Sequence, residues 1–277
     1  MENFIGMNET KYGDLIAKIK KKRNWIITLT IVAVLLILLF GFPMDIEIFG
    51  KSIVSYEGLP TAVTVLLVLL CFAVEIVAYA AVSLPLYTSM DQECDPEKHF
   101  ILNMHLNKPK YLDSIYSTDY LYLGAYEESK KYAQIMIQKP NVHMVLVGLF
   151  NYARCEFFLG NYDSFRQAAT QYEGVLLGSE KLKPKVKVAY EKMQNVLALM
   201  TAIAGKDKEK IKELKESIEP WNNSKATEGF LHYLRGLAAY KLEEREEAVY
   251  RFKTVEENYS KTVFARLSKH YLSLLAG

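Results

Sequence analysis

Glu75 is the lone charge in the apolar run 60–86. A carboxyl placed inside a membrane span is expensive and usually has a purpose. Counted at helical rise from the run's far end, it falls about two turns deep, level with Thr28 and Thr30 of an earlier apolar run. Those hydroxyls could bond a protonated Glu75. Glu75, Thr28 and Thr30 therefore form a candidate intramembrane polar site, serving either to fix helix pairing or to couple to a partner membrane protein. A second group, Cys94, His99 and His105, has spacings that match no zinc pattern and lacks a second cysteine pair, so no metal is expected. His143, His232 and His270 are scattered. The glycines are single turn residues rather than phosphate-cradling loops, and no serine nucleophile elbow occurs. These residues give no catalytic group and no cofactor site, and the chain reads as a non-enzyme.

Two runs must position Glu75. Residues 25–42 carry no charge and, as a helix, rise about 27 Å, close to the thickness of bilayer hydrocarbon. No small-x-small cleavage site follows, which favours a retained anchor over a signal peptide. The second run is longer than one span needs and is set off by Tyr79 and Tyr87, as Trp25 sets off the first. Lys18, Lys20, Lys21, Lys22 and Arg23 precede the first run, whereas the connection 43–59 has only Lys51. The positive-inside rule then puts both termini in the cytoplasm and the connection outside. The expected organisation is a basic segment over 1–24, a two-helix anchor over 25–88, a linker with an opening helix over 89–110, and a helical domain over 111–277. Asp95-Pro96-Glu97 is a helix start, with Asp as cap and Pro in the first turn, for a helix through about Leu106.

The net charge of +2 has its signs interspersed, which excludes the clustered basic face that nucleic acid requires. Cys71, Cys94 and Cys155 are odd in number and far apart, and read as reduced thiols. After Met90 a period appears. Tyr116-Ser117, Leu123-Gly124-Ala125-Tyr126 and Ala133 recur as Tyr152-Ala153, Leu159-Gly160-Asn161-Tyr162 and Ala169. Weaker copies hold Leu197-Ala198 with Gly205-Lys206-Asp207, and Gly236 with Leu242, Ala248 and Phe252. Each copy reads as a helix with a small residue at a close contact, a turn, and a second amphipathic helix. The small contact and turn residues expected to pack the copies are Ser117, Gly124, Ala153, Gly160, Ala198, Gly236 and Ala248. Such pairs bury their apolar faces only by stacking.

The pattern resembles the tetratricopeptide repeat, whose unit of about 34 residues has the Leu-Gly-x-Tyr turn and small residues at helix contacts. The resemblance, which covers roughly 111–257, implies a solenoid stack of antiparallel helix pairs with residues 261–275 capping its open end; with the two transmembrane helices before it, the expected fold is all-α. The resemblance further implies a concave protein-binding groove lined by Phe150, Arg154, Phe157, Tyr233, Leu237 and Tyr240, with Tyr122 nearby. Aromatics and arginine are the usual anchors of such surfaces. The function expected is a scaffold in a cell membrane, of bacterial layout, that holds a protein partner at the bilayer; no small-molecule substrate is evident. The alternative is an accessory or regulatory subunit of a transporter or envelope complex.

Overall fold

A computed structural model describes residues 9–41, 44–48, 51–56, 58–107, 112–180 and 182–277. The boundary expected at 110/111 lies outside the described residues. The fold is helical apart from one short hairpin, and the chain divides into two compact units, Glu9–Leu86 and a second starting at Tyr87.

In the first unit a 3-10 turn at Glu9–Tyr12 runs into α1, Gly13–Gly41, and α2 spans Thr61–Asp91. Both are long and apolar enough to cross a membrane. Their large side chains, among them Leu35, Phe40, Leu66 and Val77, lie exposed, the reverse of a soluble core. The two helices touch near each end. A β-carbon at Gly41 would meet Thr64 Cγ2 at 2.5 Å. Towards the basic end, Arg23 Nη2 and Nε donate to Ser83 Oγ at 2.6 and 3.1 Å. The guanidinium lies 4.6 Å over the Tyr79 ring, while Ser83 Oγ donates to the Tyr79 carbonyl at 2.7 Å. At helical rise the two contacts are about 27 Å apart along α1. The connection is not a plain loop: β1, Met44–Ile48, pairs antiparallel with β2, Lys51–Tyr56, with a register shift at Ile46/Glu47.

The second unit holds α3, Pro96–Leu106; α4, Leu112–Leu123; α5, Tyr126–Ile137; α6, Val142–Leu159; and α7, Tyr162–Leu177. It continues with α8, Pro184–Gly205; α9, Lys208–Lys215; α10, Lys225–Lys241; α11, Arg245–Asn258; and α12, Val263–Ala276. The α3 start is as read: Asp95 accepts from the Lys98 amide at 2.9 Å, and Pro96 takes the first turn. α6 is also apolar enough for a span, but most of it is buried inside this unit, where it serves as the central core helix.

A helix–turn–helix recurs four times. Gly124, Gly160, Lys206 and Glu243 follow α4, α6, α8 and α10, with φ of +84°, +79°, +57° and +64°. Behind each, the next amide donates back to a carbonyl five residues earlier: Ala125 to Tyr120, Asn161 to Glu156, Asp207 to Ala202 and Glu244 to Ala239, at 2.8–3.0 Å. This closes the orphan carbonyls of the first helix and reverses the chain. Seven positions before the turns stand Ser117, Ala153, Leu199 and Gly236, all buried. The third copy is therefore off by one from the sequence reading: Leu199 holds the contact and Ala198 is exposed. Gly236 packs as expected, since a β-carbon there would meet the Phe252 ring at 2.8 Å, and Ala248 is fully buried.

The stack does not stay open. α12, expected to cap a free end, returns to the first helix pair. Phe264 meets Tyr122 edge-on at 5.4 Å between ring centroids, and Arg266 Nη2 donates to the Leu123 carbonyl at 2.8 Å. Lys261 Nζ pairs with Asp95 at 2.7 Å. A solenoid repeat touches only its neighbours, so this closure corrects the open-solenoid expectation. Aromatic packing drives it: Phe158, Phe230, Tyr233 and Phe264 form one cluster, bringing together rings from α6, α10 and α12.

Candidate functional site

The second unit holds a partly open chamber of about 400 Å3. α4 lends it Ser114, Thr118 and Tyr122, four residues apart and hence on one helical face. α6 adds Val147, Phe150, Asn151 and Arg154, again one face, and Trp221, Asn222 and Thr227 come from the loop before α10 and its first turn. Arg154 is the largest of the fully enclosed side chains, at 2% exposure. Its guanidinium carbon lies 4.3 Å from the Phe150 ring centroid, 5.1 Å from Phe230, and 5.8 Å from both Trp221 and Tyr122. Four π-faces attract the cation and hold it in place.

The polar partners of Arg154 are few. Nη2 donates to Asn151 Oδ1 at 2.5 Å. Asn151 Nδ2 donates in turn to Ser117 Oγ at 3.0 Å and Thr118 Oγ1 at 3.1 Å, which fixes the amide with its oxygen toward the guanidinium. Nε and Nη1 are buried without a well-aligned acceptor among the described residues, the Tyr122 hydroxyl also lies within reach of the guanidinium, and no described carboxylate pairs with Arg154. Burial lowers the guanidinium's pKa, and the neighbouring Tyr122 works against that shift.

Also in the lining, His99 Nδ1 faces Asp119 at 2.8 and 2.9 Å from the two carboxylate oxygens. Burial disfavours the charged ring, but the Asp119 charge and hydrogen bond outweigh it, so the pKa of His99 is raised. Asp119, fully enclosed, is raised as well, because burial outweighs His99's pull. His99 thus belongs with a carboxylate in this wall, and not with Cys94 and His105. Among the described residues no cluster has the makings of a metal site, and all three cysteines are free.

Of the expected groove, Tyr122, Phe150 and Arg154 line the chamber. Phe157, Tyr233 and Leu237 lie in the core instead, with Phe157 against Phe165 at 5.4 Å and Tyr233 against Phe264 at 5.3 Å. Closure by α12 turned the presumed concave face into interior. Tyr240 is half-buried, edge-on to Tyr271 at 5.1 Å. The sequence reading missed Asn151, Thr118, Asp119 and Trp221. Asn151 had a readable signal, one turn before Arg154 on the same face; the others come from segments that only the tertiary fold brings close. In the first unit Glu75 is half-exposed and bonds to no described residue, Thr30 is half-exposed and Thr28 exposed. Among the described residues, Arg23–Ser83 is a polar contact that does join α1 to α2.

Comparison of the chain with protein-family models, curated proteins and solved structures gave no match, so the site is read from its own residues alone.

Proposed function

We propose that this chain is a membrane-anchored, non-catalytic binding module. α1 and α2 cross the bilayer with both termini cytoplasmic, the β1–β2 hairpin lies outside, and the helical unit recognises its partner at the cytoplasmic face. The observation that carries the reading is the contrast in burial: large apolar side chains face outward on α1 and α2 and inward in the second unit. Arg23 beneath Tyr79 suits the bilayer boundary, where a long basic side chain keeps its charge in the headgroup layer. Binding is favoured over chemistry because the chamber's outstanding group is an undersatisfied arginine, a recognition group with no proton to exchange near neutral pH. The repeated helix–turn–helix is consistent with a diverged tetratricopeptide-like unit.

The test is thiol labelling of intact cells with a membrane-impermeant reagent. A cysteine at Ser55 in β2 reacts, and one at the exposed Ser273 in α12 reacts only after lysis. Labelling at Ser273 in intact cells sinks the topology. Crosslinking and recovery from the native membrane then tests for a partner protein.

The second reading, an accessory subunit of a larger membrane complex, is favoured by Glu75, half-exposed on an apolar helix. On this reading Glu75→Leu releases the chain from that complex while leaving it in the membrane. Unchanged recovery of the complex removes the reading.

A further inference from the structure

We propose that the Arg154 chamber binds a small organic monocarboxylate, with the carboxylate on Arg154 and the apolar body against Phe150 and Trp221. The proposal rests on the binding-module reading and names the ligand class.

Three observations converge. The first is the arginine itself. Buried charges in folded proteins are paired, and buried donors are bonded. Arg154 is 2% exposed, has no carboxylate partner among the described residues, and keeps Nε and Nη1 without a well-aligned acceptor. Such a group is costly for a fold and is characteristic of a place built for something else. The second is support. Asn151 is locked by Ser117 and Thr118 and holds the guanidinium from one side, so the free donors are positioned before any ligand arrives. The third is the space, about 400 Å3, which lies within the range of small-molecule sites and sets the rings of Tyr122, Phe150 and Trp221 among mostly polar side chains.

Charge and shape narrow the class. Arg154 supplies one uncompensated positive charge. His99 and Asp119 satisfy each other in the chamber's wall, and Asp91 adds a negative charge there. One negative charge on the ligand balances Arg154, and a second would find no free cation among the lining residues. A phosphate dianion is therefore disfavoured, and a carboxylate is the matching monoanion. The rings of Phe150 and Trp221, edge-on at 5.1 Å, offer the rest of the molecule an apolar or aromatic seat.

Trp221 makes the test direct, because the chain has only one other tryptophan, Trp25. In full-length Trp25→Phe protein in detergent, phenylacetate should change the Trp221 emission saturably and raise the thermal midpoint. Phenylacetamide, of equal shape and no charge, should do neither. Arg154→Met should weaken phenylacetate by at least about tenfold while the apo thermal midpoint holds or rises, since the variant removes a buried charge that nothing pairs. Equal responses to acid and amide overturn the proposal, and that comparison stands even if Arg154→Met fails to fold. Inorganic phosphate binding in preference to phenylacetate overturns the monoanion assignment. Saturation by a short acidic peptide, with phenylacetate inert, overturns the small-molecule class while leaving the binding module standing. Silence from every probe overturns the inference, and the recovery of a partner by crosslinking then decides the module separately.

Discussion

His99 and Asp119 show how one contact sets a pH response. Both groups have raised pKa values in the folded chain, His99 from 6.5 and Asp119 from 3.8. The native state therefore binds more protons than the unfolded chain, and stability falls as pH rises. The His99 contribution is complete below about 6.5 and is lost as pH climbs through its raised folded value. Thermal midpoints of the full chain should fall between pH 6 and neutrality and above, and Asp119→Asn should flatten that slope (a slope unchanged in the variant assigns it elsewhere). Arg154 carries the opposite lesson. Its residue type and its aromatic neighbour Phe150 were legible in the sequence, but its lack of a carboxylate was not. A missing partner becomes visible only when every nearby segment is in place.

At the level of elements, the turns are the most legible feature. Leu-Gly-x-Tyr at 123–126 and 159–162 gave two of them, because only glycine enters the left-handed region without strain. Lys206 and Glu243 occupy the same region with side chains, and there the sequence signal was weak. That weakness has a measurable side. Lys206 is exposed, so Lys206→Gly relieves the strained backbone and should stabilise the domain by about 0.5–1 kcal/mol in denaturant midpoint, after the added freedom of the unfolded chain is subtracted. The register of the third copy is tested beside it. Leu199→Ala should destabilise by about 2–5 kcal/mol and Ala198→Leu by no more than about 0.5. Similar effects at the two sites would restore the sequence register. The β1–β2 hairpin had a signal, apolar and polar residues alternating before Phe49-Gly50, but it is short and lies between two apolar runs that dominate the hydropathy. α6 shows the converse ambiguity: hydropathy cannot tell a membrane span from a central core helix.

The whole molecule is defined by the return of α12 to α4, a contact between segments about 140 positions apart that share no pattern, which is why periodicity predicted an open stack. Two glycines measure it. Gly124 and Gly160 have nearly the same left-handed φ, but a β-carbon at Gly124 would meet Val263 at 2.7 Å and one at Gly160 would meet nothing within 4 Å. Gly160→Ala should cost about 1–2 kcal/mol from backbone strain alone. Gly124→Ala should cost about 1–3 kcal/mol more, because it also pushes α12 away. Equal costs would mean that the closure is absent in solution. The same closure governs how the protein is made. α4 leaves the ribosome some 140 residues before α12, roughly 7–30 s at ordinary elongation rates. Through that interval Tyr122, and in its later part Phe158 and Phe230, lack their contacts with Phe264. On the proposed topology α1 and α2 are already in the bilayer by then, so each nascent copy is held at the membrane surface, unfinished and adhesive, until translation delivers the helix that shuts it.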